Sequence, residues 1–343
     1  MFLSPAEDLK DIETHLGSLV EQLQNKTIFL SGATGFIGKC LVEGLVWLNR
    51  SKGLNLSIHS VSRNPEKFFC EYPHFREYSE FYLLFGDIRD RDISFSGIAI
   101  DFVIHAATDV VGKVESSDLF GTCINGTSNV LNLAIKNKCK NFLLLSSGAV
   151  YGRQPIDLEG IPESYEGAIN LSSSGSAYAL GKQGSEWLTQ QARNEMEVKI
   201  ARCFAFVGPY LPLDQHFAVG NFIRNAISGE DIKILGDGLA SRTYLYTSDL
   251  FIWLLNILLD GENGGVWNIG GDEVISIADL ALMVAELINP NVGVQVCQLP
   301  SGNPHRYIPD IRKVSIDMGL APRINLRQAI QKTADWNKRY GKY

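Results

Sequence analysis

Tyr178 and Lys182 stand four residues apart within Ala177 to Asn194, a stretch whose pattern predicts a helix. At that spacing the phenol and the ammonium share one helix face. A tyrosine at its ordinary pKa of about 10 is a poor base near neutrality. A neighbouring ammonium, joined by a second positive charge, favours the phenolate and brings it into working range. Ser147 follows the predicted strand Asn141 to Ser146, within Leu145-Ser-Ser-Gly-Ala-Val-Tyr-Gly152. A serine at the carboxyl end of a parallel strand faces the binding crevice of the sheet. It can donate a hydrogen bond to a substrate oxygen and pass a proton toward Tyr178, with Ser146 as its structural neighbour and Tyr151 as a packed wall. These three residues suit proton transfer at a hydroxyl or carbonyl.

The element that must position them is read at Lys26 to Gly38. Thr27 to Leu30 is a short apolar run with the composition of a buried strand. Gly32, Gly35 and Gly38 follow in the spacing G-x-x-G-x-x-G, and Lys39 to Trp47 read as helix. The first glycine permits a tight turn, the second lets a pyrophosphate approach the backbone, and the third lets helix and strand pack closely. The helix start aims free N–H groups and its positive dipole end at that pyrophosphate. Thr34, Phe36 and Ile37 belong to the same turn, so the whole segment predicts a dinucleotide site. A nicotinamide cation bound there is the second positive charge beside Tyr178, and Lys182 can also hold the cofactor ribose.

The end of the second predicted strand, Ile58 to Arg63, carries Ser62-Arg63 and no acid. An acid there binds a ribose 2′-hydroxyl, whereas arginine accommodates a 2′-phosphate. Arg63 thus leans toward NADP, with NAD still open. After the third strand, Phe81 to Phe85, Asp87 can bond the adenine amino group and Ile88 can pack on its ring. His105, Ala106 and Ala107 close the fourth strand, Phe102 to His105, where small residues let the backbone approach the cofactor. His105, a lone histidine, reads as structural rather than catalytic.

Strands alternate with helices through Ser116–Asn137, Asn141–Ser146, Ala177–Asn194 and Val198–Cys203, which predicts βαβ units and a parallel sheet covered on both faces. Residues 6–24 carry Leu9, Ile12, Leu16, Leu19, Val20 and Leu23 at helical spacing, an amphipathic helix expected to dock on its own domain. After Gly208-Pro209 the texture breaks into short elements to about residue 242, before helices at Thr247–Leu259 and Ser276–Ile288 and a strand at Val266–Ile269 between them. Ser276 and Asp279 form a capping pattern. The expected fold is α/β, a Rossmann-type doubly wound parallel sheet with a smaller, discontinuous α/β substrate lobe. After the 1–24 helix, the cofactor domain takes 25–207 plus about 243–270. The lobe takes about 208–242 plus 271–343.

The 343 residues, 45% hydrophobic and 20% charged, suit a globular enzyme. A net charge of −7 without a Lys/Arg block argues against nucleic acid. Six scattered cysteines suit reduced thiols in a cytoplasm and no zinc or other metal site. The N-terminus lacks the pattern of a signal peptide, and no apolar run is long enough to span a membrane.

Over about residues 25–340 the chain resembles the extended short-chain dehydrogenase/reductase superfamily, specifically the NAD-dependent epimerase/dehydratase family acting on nucleotide sugars. The likeness rests on the glycine motif, Asp87, Tyr178 and Lys182, and on three further segments. Arg202-Cys-Phe-Ala-Phe-Val-Gly208-Pro209 resembles the family's arginine strand, and Gly236 to Tyr244 its G-x-G…R-x-Y segment. Asn303 to Asp310 resembles its late Arg…P-D stretch, followed by a terminal helix around Leu326 to Trp336. By this resemblance Arg242 and Arg306, with Asn221 nearby, grip the diphosphate of a sugar nucleotide, as paired guanidiniums can. It also implies a homodimer built from two helices per subunit, within 113–137 and 177–193.

Departures from the family pattern narrow the reaction. Dehydratases of the family usually carry Asp-Glu, and decarboxylases a Glu, where this chain has Gly148-Ala149. Glu163, Glu166 or His216 would have to stand in. Cys123 and Ala205 each replace a common Asn. The resemblance therefore implies hydride transfer at a hexose carbon, expected at C4, as a 4-epimerase or a 4-keto-sugar reductase. The alternatives are a 4,6-dehydratase and a non-catalytic NAD(P)-binding sensor or scaffold. Such sensors usually lose the Tyr or the Lys, and this chain keeps both.

Overall fold

A computed structural model describes residues 1–90, 98–108, 116–215, 217–300, 302 and 304–341. The first half alternates strand and helix: α1 (Ala6–Leu16), β1 (Thr27–Ser31), α2 (Phe36–Lys52), β2 (Ser57–Ser62), α3 (Pro65–Glu71), β3 (Phe81–Phe85), β4 (Phe102–His105), α4 (Ser116–Lys136), β5 (Asn141–Ser147), α5 (Ala177–Gln191) and β6 (Glu197–Cys203). Shorter strands then mix with helices: β7 (Phe206–Val207), α6 (Ala218–Ser228), β8 (Ile232–Ile234), β9 (Ser241–Arg242), β10 (Leu245–Tyr246), α7 (Thr247–Asp260), β11 (Gly265–Ile269), β12 (Ile275–Ser276), α8 (Ile277–Ile288), β13 (Val294–Val296), β14 (Arg306–Tyr307), α9 (Arg312–Met318) and α10 (Leu326–Tyr340).

Seven strands form one parallel sheet in the order β3-β2-β1-β4-β5-β6-β11. The order reverses between β1 and β4, and in doubly wound sheets ligands bind at that switch, outside the carboxyl ends of the strands. Alternation along β1 feeds two cores: Ile28 and Leu30 pack with Leu41, Leu45 and α7, while Phe29 packs with Val130, Ala134 and Phe142. All seven residues of β5 are buried, as a central strand covered on both faces requires. α7 is apolar all round because it lies between the sheet and α1, whose Ile12 and Leu16 join the same core.

The smaller lobe has its own core from α6, α8, α10 and β8. Its three-stranded sheet sets β9 between antiparallel β12 and parallel β14. Ser276 caps α8 by accepting from Asp279 N at 3.0 Å, as the sequence pattern predicts.

Several elements differ from the sequence expectations. The α-helix expected over 6–24 ends at Leu16; Gly17 adopts φ +51°, and Gly17–Leu23 continues as a 3-10 helix that still turns Val20 and Leu23 inward. α2 runs past Trp47 to Lys52, where Gly53 in the left-handed region ends it. α5 stops at Gln191 and passes into a 3-10 turn. α3, α6 and α9 were not anticipated.

Candidate active site

The glycine turn opens onto a cavity of about 400 Å3 at the β1–β4 switch, lined among others by Gly32, Thr34, Gly35, Ser62, Arg63 and Asp87. Ile88, Ala106 and Ala107 also line it. Gly32 sits at φ +79°, and a Cβ there would lie 2.9 Å from the Ala106 and Ala107 backbone. Gly35 is the N-cap of α2 and has no side chain to cap it, so the first N–H groups of the helix are left for a ligand in the cavity. Gly38 does not face the cavity. A Cβ on it would stand 2.1 Å from Gly32 O and 2.6 Å from Ala33 Cα, so this glycine brings helix against turn. Phe36 and Ile37 pack into the cores and contribute backbone only. An uncapped helix start and a bare glycine backbone at the edge of this cavity together fit the pyrophosphate of a dinucleotide.

His105 also turns away from the cavity. Its Nδ1 lies 2.6 Å from Ser31 Oγ, and its Nε2 lies 3.1 Å from Thr127 Oγ1. Ser31 Oγ already accepts from Ala106 N and Ala107 N, so its proton goes to Nδ1 and the ring proton sits on Nε2. Burial, aided by the charge of Lys182, pushes the imidazole down to about 3 and keeps it neutral. The histidine thus orients Ser31, whose hydroxyl holds the 106–107 backbone. Asp87, expected at the adenine, is chelated by Arg89 Nε and Nη2 at 3.1 and 2.7 Å. Burial raises its pKa, but the Arg89 bonds win and hold it below the usual range.

Ser147, Tyr178 and Lys182 meet beside the carboxyl end of β5. Burial pushes the Tyr178 phenol above its ordinary pKa, and the nearby Ser147 hydroxyl opposes that shift. Lys182 Nζ donates to Leu145 O at 2.7 Å and lies 5.9 Å from the Tyr178 ring centre. The expected tuning of the phenol by Lys182 is therefore not through direct contact; the ammonium is anchored to the strand and itself lowered by burial. One turn further along, Glu186 accepts from Ser146 Oγ at 2.5 Å and from Arg202 Nη2 at 2.7 Å. The i, i+4 step from Tyr178 through Lys182 to Glu186 was a visible signal for this anchor.

A family model described as the NAD dependent epimerase/dehydratase family matches residues 28–270. The chain belongs to that family. UDP-glucuronic acid decarboxylase 5 of Arabidopsis thaliana is 30% identical over 312 residues, covering 89% of this chain and 87% of the relative. The fold is similar to that of UDP-glucose 4-epimerase of Thermotoga maritima with UDP-glucose, at TM-score 0.79 and 22% identity over 92% of this chain and all (100%) of the other. It is also similar to UDP-glucuronic acid 4-epimerase of Bacillus cereus in complex with UDP-glucuronic acid and NAD, at TM-score 0.77 and 24% identity, over 91% and 99%.

On the substrate side of this epimerase/dehydratase chain, the expected pair of arginines does not converge. Parallel pairing sets Tyr307 opposite Arg242 and Arg306 opposite Ser241, so the two guanidiniums start from opposite faces of the small sheet. Arg242 donates to Ser241 O and His305 O and lies 5.7 Å from the Tyr307 ring. Arg306 donates to Glu159 O, and its buried Nε has no partner among the described residues. Asn221, on α6, donates to Gln215 O at 2.7 Å. Of the expected stand-in acids, Glu163 and Glu166 line a second cavity of about 330 Å3 that includes none of Ser147, Tyr178 and Lys182. His216 lies outside the described residues. The residue that sequence reasoning missed is Tyr307, whose hydroxyl lies 3.4 Å from Ser147 Oγ.

Proposed function

We propose that the chain moves a hydride between C4 of the hexose of a nucleotide-diphosphate sugar and NAD(P), as a 4-epimerase or a 4-keto-sugar reductase. The observation that carries this is the placement of Ser147, Tyr178 and Lys182 at the end of β5, the strand beside β4, whose continuation Ala106-Ala107 lines the cavity that fits a dinucleotide. Bound nicotinamide supplies the hydride acceptor or donor. Tyr178 takes the C4 hydroxyl proton in oxidation and returns it in reduction. Ser147 orients the reacting oxygen, and Lys182 contributes positive charge that favours the phenolate. Arg242 is assigned to the diphosphate, with Asn221 at the edge of that site. Arg63 and Lys67 line the β2 end of the cavity and favour a 2′-phosphate there. The six cysteines form no disulfide among the described residues, which suits a reducing cytoplasm.

Dehydration is disfavoured because Gly148-Ala149 stand where dehydratases of the family usually carry two carboxylates. A Cβ on Gly148 would stand 2.6 Å from the Phe204 ring, which would have to turn aside to admit one. A second reading is decarboxylation, which the 30% identity with a UDP-glucuronic acid decarboxylase supports. Oxidation of a hexuronic acid at C4 produces a β-keto acid, which loses carbon dioxide as the C5–C6 electron pair moves toward the C4 ketone. Incubation with UDP-glucose, UDP-glucuronic acid or dTDP-glucose and either cofactor, followed by product mass and NMR, separates the readings. An epimer keeps the mass, a decarboxylase loses carbon dioxide, and a dehydratase loses water. Tyr178→Phe should cut turnover at least about 100-fold while leaving cofactor binding intact, the size expected for a general acid–base residue. Full activity in that variant would refute the assignment.

A further inference from the structure

Ser147 has two donors within reach before any substrate oxygen arrives. A hydroxyl has one proton and two lone pairs. Ala149 N–H donates into one lone pair at 3.2 Å. The Tyr307 hydroxyl stands 3.4 Å away on another side. Tyr307 comes from β14 of the small lobe, 160 residues from Ser147. Its ring leans on Phe204 with centroids 4.6 Å apart, which fixes where its hydroxyl reaches. The same hydroxyl can donate instead to Cys203 O at 3.5 Å.

We propose that Tyr307 is a positioning residue for the reaction: its O–H fills the second lone pair of Ser147, so that the single serine proton is directed at the reacting oxygen. This rests on the assignment of Tyr178 and Ser147 made above. Burial pushes Tyr307 up to about 12, so it is a donor across the neutral range and keeps its proton throughout. When it turns to Cys203 O, Ser147 is free to donate to Tyr307, and its proton then points away from the reaction. Both contacts are long, as hydrogen bonds in unliganded sites often are before substrate tightens them. Because β14 pairs with the strand that carries Arg242, seating a diphosphate on that arginine bears on which partner Tyr307 takes.

The test uses the sugar among UDP-glucose, UDP-glucuronic acid and dTDP-glucose, or the 4-keto nucleotide sugar, that the wild-type protein turns over. Tyr307→Phe keeps the ring against Phe204 and removes one oxygen, so melting should be unchanged. Its kcat should fall about tenfold, with KM within about twofold. Tyr307→Leu, which also loses the ring, should raise KM as well. Because Tyr307 acts through Ser147, the double variant Ser147→Ala/Tyr307→Phe should be no slower than Ser147→Ala alone. Undiminished kcat in Tyr307→Phe, or effects that multiply in the double variant, overturns the inference while Tyr178→Phe remains inactive. If Tyr178→Phe is as active as wild type, or wild type neither turns over any of the three sugars nor reduces a 4-keto nucleotide sugar with NADH or NADPH, the parent assignment falls and takes this one with it.

Discussion

Replacing Gly38 by alanine sets two well-defined effects against each other. In an ordinary helix the change contributes up to about 1 kcal/mol, because glycine loses more backbone freedom on folding. Here the added Cβ would stand 2.1 Å from Gly32 O and 2.6 Å from Ala33 Cα, and reaching a tolerable 3.0 Å requires α2 to retreat by about 0.9 Å. Both obstructing atoms are backbone, so no rotamer change relieves them. Overpacking of this kind costs about 1–3 kcal/mol, and set against the helix gain it leaves a net loss of up to about 2 kcal/mol. The larger effect should be on ligand. The retreat carries the uncapped N–H groups of α2 away from the cavity, and cofactor affinity should fall at least about tenfold, or 1.4 kcal/mol. Calorimetric titration with NAD and with NADP, together with thermal melting, reads both. Gly236→Ala is the reference, since nothing lies within 4 Å of its added Cβ and its φ is not positive. A Gly38→Ala protein that melts and binds cofactor like the wild type would refute the packing role of the third glycine.

Two histidines predict an acid-sensitive fold. Burial holds His74 down to about 4, with a contribution from the N-terminal ammonium, and burial holds His105 down to about 3. Both stay neutral in the folded chain while the unfolded chain binds protons near pH 6.5, so their contribution is complete above that pH and is lost as pH falls toward 4 and 3. Urea midpoints should drop over this window, and drop less in His74→Gln; equal slopes in the two proteins would discount His74. α4 and α5 pack on each other and leave Phe120, Ile135 and Trp187 outward, the last 64% exposed. If these helices build the expected homodimer, whose 113–115 segment lies outside the described residues, Trp187→Glu should halve the mass in light scattering. A wild-type mass of one chain removes the dimer.

What was legible in the sequence is what short spacings decide. The strand, glycine turn and helix at 27–52 are specified by neighbours within a few residues, and so is the shared face of Tyr178 and Lys182. What Lys182 touches was not legible, because Leu145 O belongs to a strand 37 residues earlier. Tyr307 carried no signal, since its partner is 160 residues away and the register of two-residue strands decides which face it occupies. The same register separates Arg242 from Arg306, which sequence motifs had placed in one grip. α3 escaped notice because seven residues are too few for a periodic pattern; its Asn64 cap and Pro65 start were the available cues. α6 lay in a stretch whose glycines and polar residues read as loop, and its inward face shows only against α8 and α10.

The N-terminal segment shows why an apolar pattern alone understates an element. Its apolar stripe explains docking on α7 but not why residues 1–8 lie where they do. Glu43 of α2, fully buried, accepts from Leu3 N and Ser4 N at 2.8 Å each and from Tyr78 Oη at 2.9 Å. On the other side Asp8 accepts from Tyr246 Oη at 2.6 Å and Lys332 Nζ at 2.9 Å, while Trp336 Nε1 donates to Leu3 O at 2.8 Å. Tyr246 precedes α7, and Lys332 and Trp336 lie on α10, which packs with α6 and α8 in the small lobe. One short segment thus ties the helix that opens the cofactor cavity to a helix of the lobe that carries Arg242 and Tyr307. A buried carboxylate is costly unless its bonds are met, so these contacts fix the placement of the segment more narrowly than greasy packing could.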